Sequence, residues 1–251
     1  MRELTEDEFH RYARHLILDE VGEEGQEKLL DSRVVLLGAG GLGAPVSLYL
    51  AAAGVGTLVL VDDDVVDLTN LQRQIVHATD AVGRPKVDSA AETLARVNPG
   101  VVVERREQRL TRENAAEILA GASVVVDGSD NFETRFVLND ACRAAGIPLV
   151  SGALSRFEGQ LTTILPGADQ PCYRCLFPDI PDPALTPRCE EAGILGAVAG
   201  VIGTLQGVEV LKLILGLGEP MAGRLMLYDA LTGAMDEIRY GVRPDCTGPH
   251  K

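Results

Sequence analysis

At 251 residues the chain is long enough to bury a large core, as one α/β domain or one with a small appendage. Its 23 Lys and Arg stand against 37 Asp and Glu, a formal charge of −14, which argues against nucleic acid as the main partner because counterion release needs a basic face. No charged leader with an apolar core precedes Arg2-Glu3-Leu4, and the most apolar stretch, Ile194 to Leu205, stops at Gln206 short of the ~20 residues a bilayer needs, so neither export nor a membrane partner is expected.

Residues 5 to 18 place Phe9, Tyr12, Leu16 and Ile17 at helical spacing, with Arg11 and Arg14 between them and Thr5 and Glu8 at capping-box spacing. This predicts an amphipathic helix with its arginines in solvent, and Gln26 to Leu30 predicts a second. The apolar run Val34-Val35-Leu36-Leu37 then ends in Gly38-Ala39-Gly40-Gly41-Leu42-Gly43 and leads into a helix from Ala44 to Ala53. Strand, glycine loop and helix in this order suit a phosphate: Gly38, Gly40 and Gly43 permit a tight turn, close backbone approach and close helix packing, with the anion at the helix N-terminus. A second strand, Leu58 to Val61, ends in Asp62, where a ribose-binding acid belongs; the alternative is a turn with a solvated acidic run, Asp62-Asp63-Asp64.

Next come Asp67-Leu68-Thr69-Asn70-Leu71-Gln72-Arg73-Gln74 and Gly83-Arg84-Pro85-Lys86, before a helix from Val87 to Val97. A triphosphate under attack needs cations to carry its developing charge, which makes Arg73 and Lys86 candidates, although either alone reads equally as a surface charge. Strands at Val101 to Glu107 and Ser123 to Asp127, with a helix around Arg112 to Ala120, continue a β-α-β alternation that calls for a parallel sheet with its ligand at the carboxyl ends. Asp130 arrives at such an end. It stands at capping-box spacing from Glu133 for a helix running to about Ala145, and an acid there also suits a magnesium ion.

Beyond Pro148-Leu149-Val150 follow a strand at Leu161 to Leu165 and Cys172-Tyr173-Arg174-Cys175. That spacing lets two thiolates face one zinc ion, and cysteines in a chain without an export signal point to a reducing cytoplasm and to metal rather than disulfides. The proline-rich stretch from Pro178 to Pro187 reads as a crossover loop ending beside Cys189. Ile194 to Gly216 predicts a largely buried helix, with Gly196/Gly200 and Gly203/Gly207 spaced for close packing. Arg224 to Ala230 and Met235 to Tyr240 predict two strands joined through Thr232-Gly233.

With these motifs assembled, the chain resembles the MoeB/ThiF adenylyltransferases of the ubiquitin-activating-enzyme superfamily, from about Arg11 to Cys246. The marks are Gly38 to Gly43, Asn70 to Gln74, Gly83 to Lys86, Ser129-Asp130-Asn131, Gly159-Gln160, Cys172 to Cys175 and Tyr228-Asp229-Ala230. The resemblance implies one Rossmann-like domain over 1–251, doubly wound and mainly parallel, extended by C-terminal antiparallel strands. Its N-terminal helices would occupy 1–32, its nucleotide-binding half 33–150, and its carrier-binding and CxxC half 151–251.

It also implies ATP at Gly38, Gly40, Gly41, Gly43 and Asp62, with Thr69, Asn70, Leu71, Gln72, Arg73, Lys86 and Asn131 around the nucleotide and Asp130 holding magnesium. Arg14 would reach the phosphates from the other protomer of a homodimer. The implied partner is a small ubiquitin-fold sulfur carrier ending in Gly-Gly, whose C-terminal carboxylate attacks ATP. A carboxylate with an ordinary pKa of roughly 3.5 needs no general base, and none of the four histidines falls in a nucleotide motif. The family's second zinc-binding CxxC is altered here: Cys246 is present, Pro249 replaces the next cysteine, and His250 offers an imidazole one position later. Cys189 aligns with a family cysteine that in some members bonds to the activated carrier. The rival readings are an NAD-dependent oxidoreductase, which leaves Arg73, Lys86 and the CxxC without purpose, and an inactive scaffold subunit of an activating enzyme.

Overall fold

A computed structural model describes residues 3–180 and 193–248. The Cys189 and His250 expectations, Pro249, and the crossover loop from residue 181 onward lie outside the described residues. At the N-terminus the single expected helix is two, α1 (Glu6–Arg11) and α2 (Ala13–Leu16), with the Thr5/Glu8 capping box closed as anticipated. Tyr12 separates them because it serves the core instead. Its ring is buried against Gly54, and its hydroxyl accepts a hydrogen bond from Asn98 Nδ2 at 2.8 Å. Phe9 and Ile17, expected on the buried stripe, are half or more exposed. Helix α3 (Gly22–Asp31) then leads into the sheet.

Strand β1 (Arg33–Leu37), helix α4 (Gly43–Ala53), strand β2 (Thr57–Val61), helix α5 (Lys86–Val97) and strand β3 (Val102–Arg106) follow the expected alternation within a residue or two. The helix expected over Arg112 to Ala120 shrinks to one turn, α6 (Ala115–Ile118). Asn114 holds the preceding backbone in a turn, accepting from Thr111 N–H and donating to Arg109 O, and Gly121 with φ +71° ends it. Strand β4 (Val124–Asp127), helix α7 (Phe132–Ala145), strands β5 (Leu149–Ser155) and β6 (Glu158–Ile164), helix α8 (Tyr173–Leu176), helix α9 (Gly196–Leu215) and strands β7 (Arg224–Asp229) and β8 (Ala234–Arg239) complete the described elements.

The strands of the described residues form one eight-stranded sheet in the order β3-β2-β1-β4-β5-β6-β7-β8, parallel as far as β5 and antiparallel from there to β8. The Rossmann-like, mainly parallel sheet with antiparallel C-terminal strands is therefore the observed fold. Its central strands are apolar throughout because both faces are covered. Val34, Leu36, Leu58, Leu60, Val124 and Val126 pack with Leu29, Leu50, Leu94 and Val210 from the helices on one face. Val35, Leu37, Val59, Val61 and Val125 pack with Ile118, Phe136, Leu138 and Tyr173 on the other. Side chains alternate along each strand, so neighbouring residues join opposite cores.

β1 feeds α4 on the first face and β4 feeds α7 on the second, so the loops after these adjacent strands diverge and leave a crevice at their carboxyl ends. Helix α9 closes the first face. It runs from Gly196 to Leu215, as the sequence predicts, and so continues past the apolar stretch that stops at Gln206. By length and composition it could cross a membrane, but Gln206 and Glu209 are buried in the fold. Gln206 Nε2 donates to Asp127 O at 2.8 Å, and Glu209 accepts from Thr163 Oγ1 and the Met221 N–H, both at 2.7 Å. The expected glycine pairs act singly. A Cβ at Gly203 would lie 2.4 Å from Pro45 Cγ and one at Gly196 2.2 Å from Gln72 O, whereas Gly200 meets nothing within 4 Å and Gly207 meets only Tyr49 at 3.8 Å.

Candidate functional site

The glycine loop turns at Gly38, whose φ of +89° suits glycine, while its N–H donates to Val61 O at 2.8 Å. A Cβ at Gly43 would sit 1.9 Å from Gly38 O, which is how close α4 comes to the loop. Gly128 contributes equally and was not singled out from the sequence. A Cβ there would lie 2.9 Å from Leu37 O, so the loops after β1 and β4 touch backbone to backbone. Among the described residues no hydrogen bond takes up the N–H groups of Gly40, Gly41 and Leu42. Together with the positive end of the 11-residue helix α4, they form an anion cradle.

Asp62, at the end of β2, braces this loop. One carboxylate oxygen accepts from the Ala39 N–H at 2.7 Å and the other from the Asp64 N–H at 2.9 Å. Burial pushes the Asp62 carboxyl above the usual carboxylate range, with the Lys86 cation and these two amides pulling the other way. Lys86, buried at the first turn of α5, donates to Asp64 Oδ2 at 2.7 Å. An ammonium has three donors, so two remain for another anion.

Asp67 accepts from the Thr69 N–H and hydroxyl and builds a 3₁₀ turn over Leu68–Asn70, in which the Asn70 side chain is buried with Oδ1 facing Asp67 N–H. Arg73 donates to Thr69 O at 3.1 Å and lies against Gly41. Gln72 lies at the start of α9, and Leu71 is half-buried between these residues. Gln74 is buried beside Gly40, with Oε1 unpaired among the described residues.

His77 lies outside the nucleotide motifs and was not singled out from the sequence. It is buried beneath the loop, with Nε2 2.9 Å from Ala39 O and Nδ1 2.9 Å from Ser89 Oγ. Burial, reinforced by the Lys86 charge, holds its pKa below the ordinary imidazole value. The only prior signal was its position between Asn70 and Lys86.

Across the crevice, Asp127 is fully buried and accepts from the Ser129 N–H at 2.9 Å, the Ser129 hydroxyl at 2.6 Å and the Ser151 hydroxyl at 2.8 Å. Arg135 adds an Nη2 bond to Ser129 O at 2.9 Å. This network fixes the loop carrying Asp130. The capping role considered for Asp130 belongs to Asn131, whose Oδ1 accepts from the Thr134 N–H at 2.9 Å. Asp130 itself is exposed, and among the described residues its carboxylate accepts a hydrogen bond only from Asn131 Nδ2, at 3.4 Å. An outward carboxylate at a strand end fits a magnesium ion. Arg14 is not brought to this crevice: α2 packs on α3, and the Tyr12 that precedes it lies against Gly54, at the amino ends of the strands.

Cys172, Cys175 and Cys246 come together beside the middle of α7, with Cys172 Sγ 3.9 Å from Cys175 Sγ and 3.7 Å from Cys246 Sγ. The α8 knuckle is tied to α7 by the Tyr173 N–H to Asn139 Oδ1, by the two-point Arg174–Asp140 pair, and by Arg174 over the Phe136 ring. Three sulfurs at this spacing supply three corners of a tetrahedral soft-metal site, so the donor set fits zinc. Burial pushes the Cys246 thiol up to about 12, opposed by the Gly248 N–H. Cys142 is the expected buried small hydrophobe. A separate cavity of about 400 Å³ outside α5 is bordered by Asp80, Arg84, Glu92 and Arg96, and its Arg84–Glu92 pair is self-neutralised.

A model of the ThiF family matches residues 12–248. The SAMP-activating enzyme E1 of Haloferax volcanii is 56% identical over 236 residues, covering 94% of this chain and 87% of that protein. The sulfur carrier protein adenylyltransferase of Thermus thermophilus is 48% identical over 246 residues, covering 96% and 91%. A crystal structure of E. coli MccB with AMPCPP and MccA superposes with a TM-score of 0.84 at 23% identity, covering 99% of this chain and 76% of that one, a likeness of fold. A match that begins before the glycine loop and ends beyond Cys246, with relatives this similar over nearly their whole lengths, places the chain in the ThiF family.

Proposed function

We propose that this protein adenylylates the C-terminal glycine carboxylate of a small ubiquitin-fold sulfur carrier ending in Gly-Gly. The observation that carries the reading is the cradle of unpaired amides at Gly40, Gly41 and Leu42, flanked by Lys86 and Arg73, in a chain whose relatives are named as adenylyltransferase and activating enzyme. Neither name describes an oxidoreductase, which weighs against the NAD reading. Retention of Arg73, Lys86 and Asp130 weighs against an inactive scaffold.

In the proposed reaction a carrier carboxylate oxygen attacks the α-phosphorus of ATP. The bond from that phosphorus to the bridging oxygen breaks, and pyrophosphate leaves with the electron pair. The loop amides, Asn70 and the cations of Lys86 and Arg73 would hold the phosphates and take up charge developing on them, while Asp62 would meet the ribose. Asp130 would hold magnesium, which when bound neutralises phosphate charge. Cys172, Cys175 and Cys246 would hold structural zinc, with His250 as fourth ligand. Arg14 would complete the site from the second copy in a homodimer, and a reducing cytoplasm would keep the thiols available. Cys189 would serve a covalent step with the carrier.

The test is ATP–pyrophosphate exchange against a panel of carriers ending in Gly-Gly, each beside a form lacking the last glycine. Exchange with an intact carrier and none with its shortened form is the expected result. No exchange with any carrier, despite tight binding of magnesium-ATP, would overturn catalysis in favour of a scaffold role.

A further inference from the structure

The His77 ring lies between the glycine loop and α5, and its hydrogen bonds define its proton. A carbonyl only accepts, so the Nε2 beside Ala39 O carries the N–H. In the neutral ring Nδ1 is then an acceptor, and the Ser89 hydroxyl donates to it. The ring is 7% exposed, and a second positive charge there would face the Lys86 ammonium from the same helix as Ser89.

Ala39 is thus held on both sides, its N–H by Asp62 at 2.7 Å and its carbonyl by His77 at 2.9 Å. The Ala39–Gly40 peptide is trans, so its N–H points opposite to its C=O. Drawing the carbonyl inward to His77 turns the Gly40 N–H outward, toward the crevice where it has no partner. We infer that His77 is a positioning residue for the phosphates of the nucleotide: it orients the Gly40 amide through the Ala39 carbonyl, and Ser89 selects the ring tautomer that does so. The role rests on the glycine loop being the phosphate site.

The experiment compares binding of magnesium-ATP and of adenosine, by calorimetry, to wild type, His77→Leu and His77→Gln. Leucine removes both hydrogen bonds, whereas the glutamine amide can donate to Ala39 and accept from Ser89. The expected result is a loss of ATP affinity of roughly tenfold or more in His77→Leu, adenosine binding unchanged, and recovery to within about threefold in His77→Gln. Equal weakening of ATP and adenosine, or of neither, would overturn the role by reducing His77 to general packing. Should His77→Leu fail to fold, Ser89→Ala serves. It should weaken ATP and spare adenosine, and unchanged ATP affinity in that variant would count against the proposal. A wild-type protein that binds adenosine and ATP equally well would remove the phosphate site itself, and with it this role.

Discussion

Asp130 and Asn131 are chain neighbours with separable duties. Asn131 caps α7 and Asp130 faces outward, so substituting each should give opposite outcomes. Asp130→Ala should reduce pyrophosphate exchange by on the order of 10²–10³-fold with melting temperature nearly unchanged. Asn131→Ala should cost about 1 kcal/mol, a fall of roughly 2–4 °C in Tm, because it removes a cap. Exchange measured beside thermal unfolding separates the two, and wild-type exchange in Asp130→Ala would leave that residue without a catalytic part. His77 supplies a pH signature. Its folded pKa is depressed, so the unfolded chain binds the extra proton first as pH falls below the ordinary value of about 6.5. Its contribution to stability is therefore present above that pH and lost below it. Melting curves from pH 7.5 downward should show a wild-type decline that is shallower in His77→Gln.

Helix α9 shows which glycines an element needs. Gly203→Ala would push a methyl group into Pro45 and the Leu42 carbonyl, and overpacking of this kind costs about 1–3 kcal/mol. Gly200→Ala meets open space and should stabilise by about 0.5–1 kcal/mol through lower backbone entropy in the unfolded chain. Denaturant midpoints of the two variants should move in opposite directions. The four-residue spacing was legible in the sequence, but which member of each pair makes the close approach was not, because helical phase is set by the partner. The same limit applies to α1 and α2. Helical periodicity over residues 5 to 18 is real, yet burial of Tyr12 beside Gly54 breaks the helix. Elements whose strand or helix pattern coincides with their burial, such as β1, α4, β2 and α5, came out within a residue or two.

In the whole molecule, Arg14 follows Tyr12 at the amino ends of the strands while the glycine loop lies at their carboxyl ends, so any contact with phosphate must come from another copy. Mixing Arg14→Ala with Arg73→Ala should then restore activity to roughly a quarter of wild type, since only mixed dimers carry one intact site. No recovery on mixing, from two individually inactive variants that still dimerise, would argue against the shared site. The thiol cluster is the second feature at this scale. Cys246 lies 71 residues beyond Cys175 in sequence, and the antiparallel extension of the sheet returns it to within 3.7 Å of Cys172. Metal analysis of protein purified without a histidine tag should find about one zinc per chain. A value well below one would show that three thiols without the lost cysteine do not retain the ion.

The amino-acid sequence alone determined the order of strands and helices, the parallel class of the sheet and the glycine loop with its neighbouring Asp62, Arg73 and Lys86. These are written in local period and local spacing, which neighbouring residues set for themselves. Only the tertiary structure decided that His77 holds the loop from below, that Gly128 threads against it, that Asn131 rather than Asp130 caps α7, and that Asp127, Ser151 and Arg135 brace the far wall. Each of these depends on which buried polar group or close backbone approach meets a partner distant in the chain. A hydrogen bond inside the core selects one donor and one acceptor in space, and their separation along the sequence carries no record of that choice.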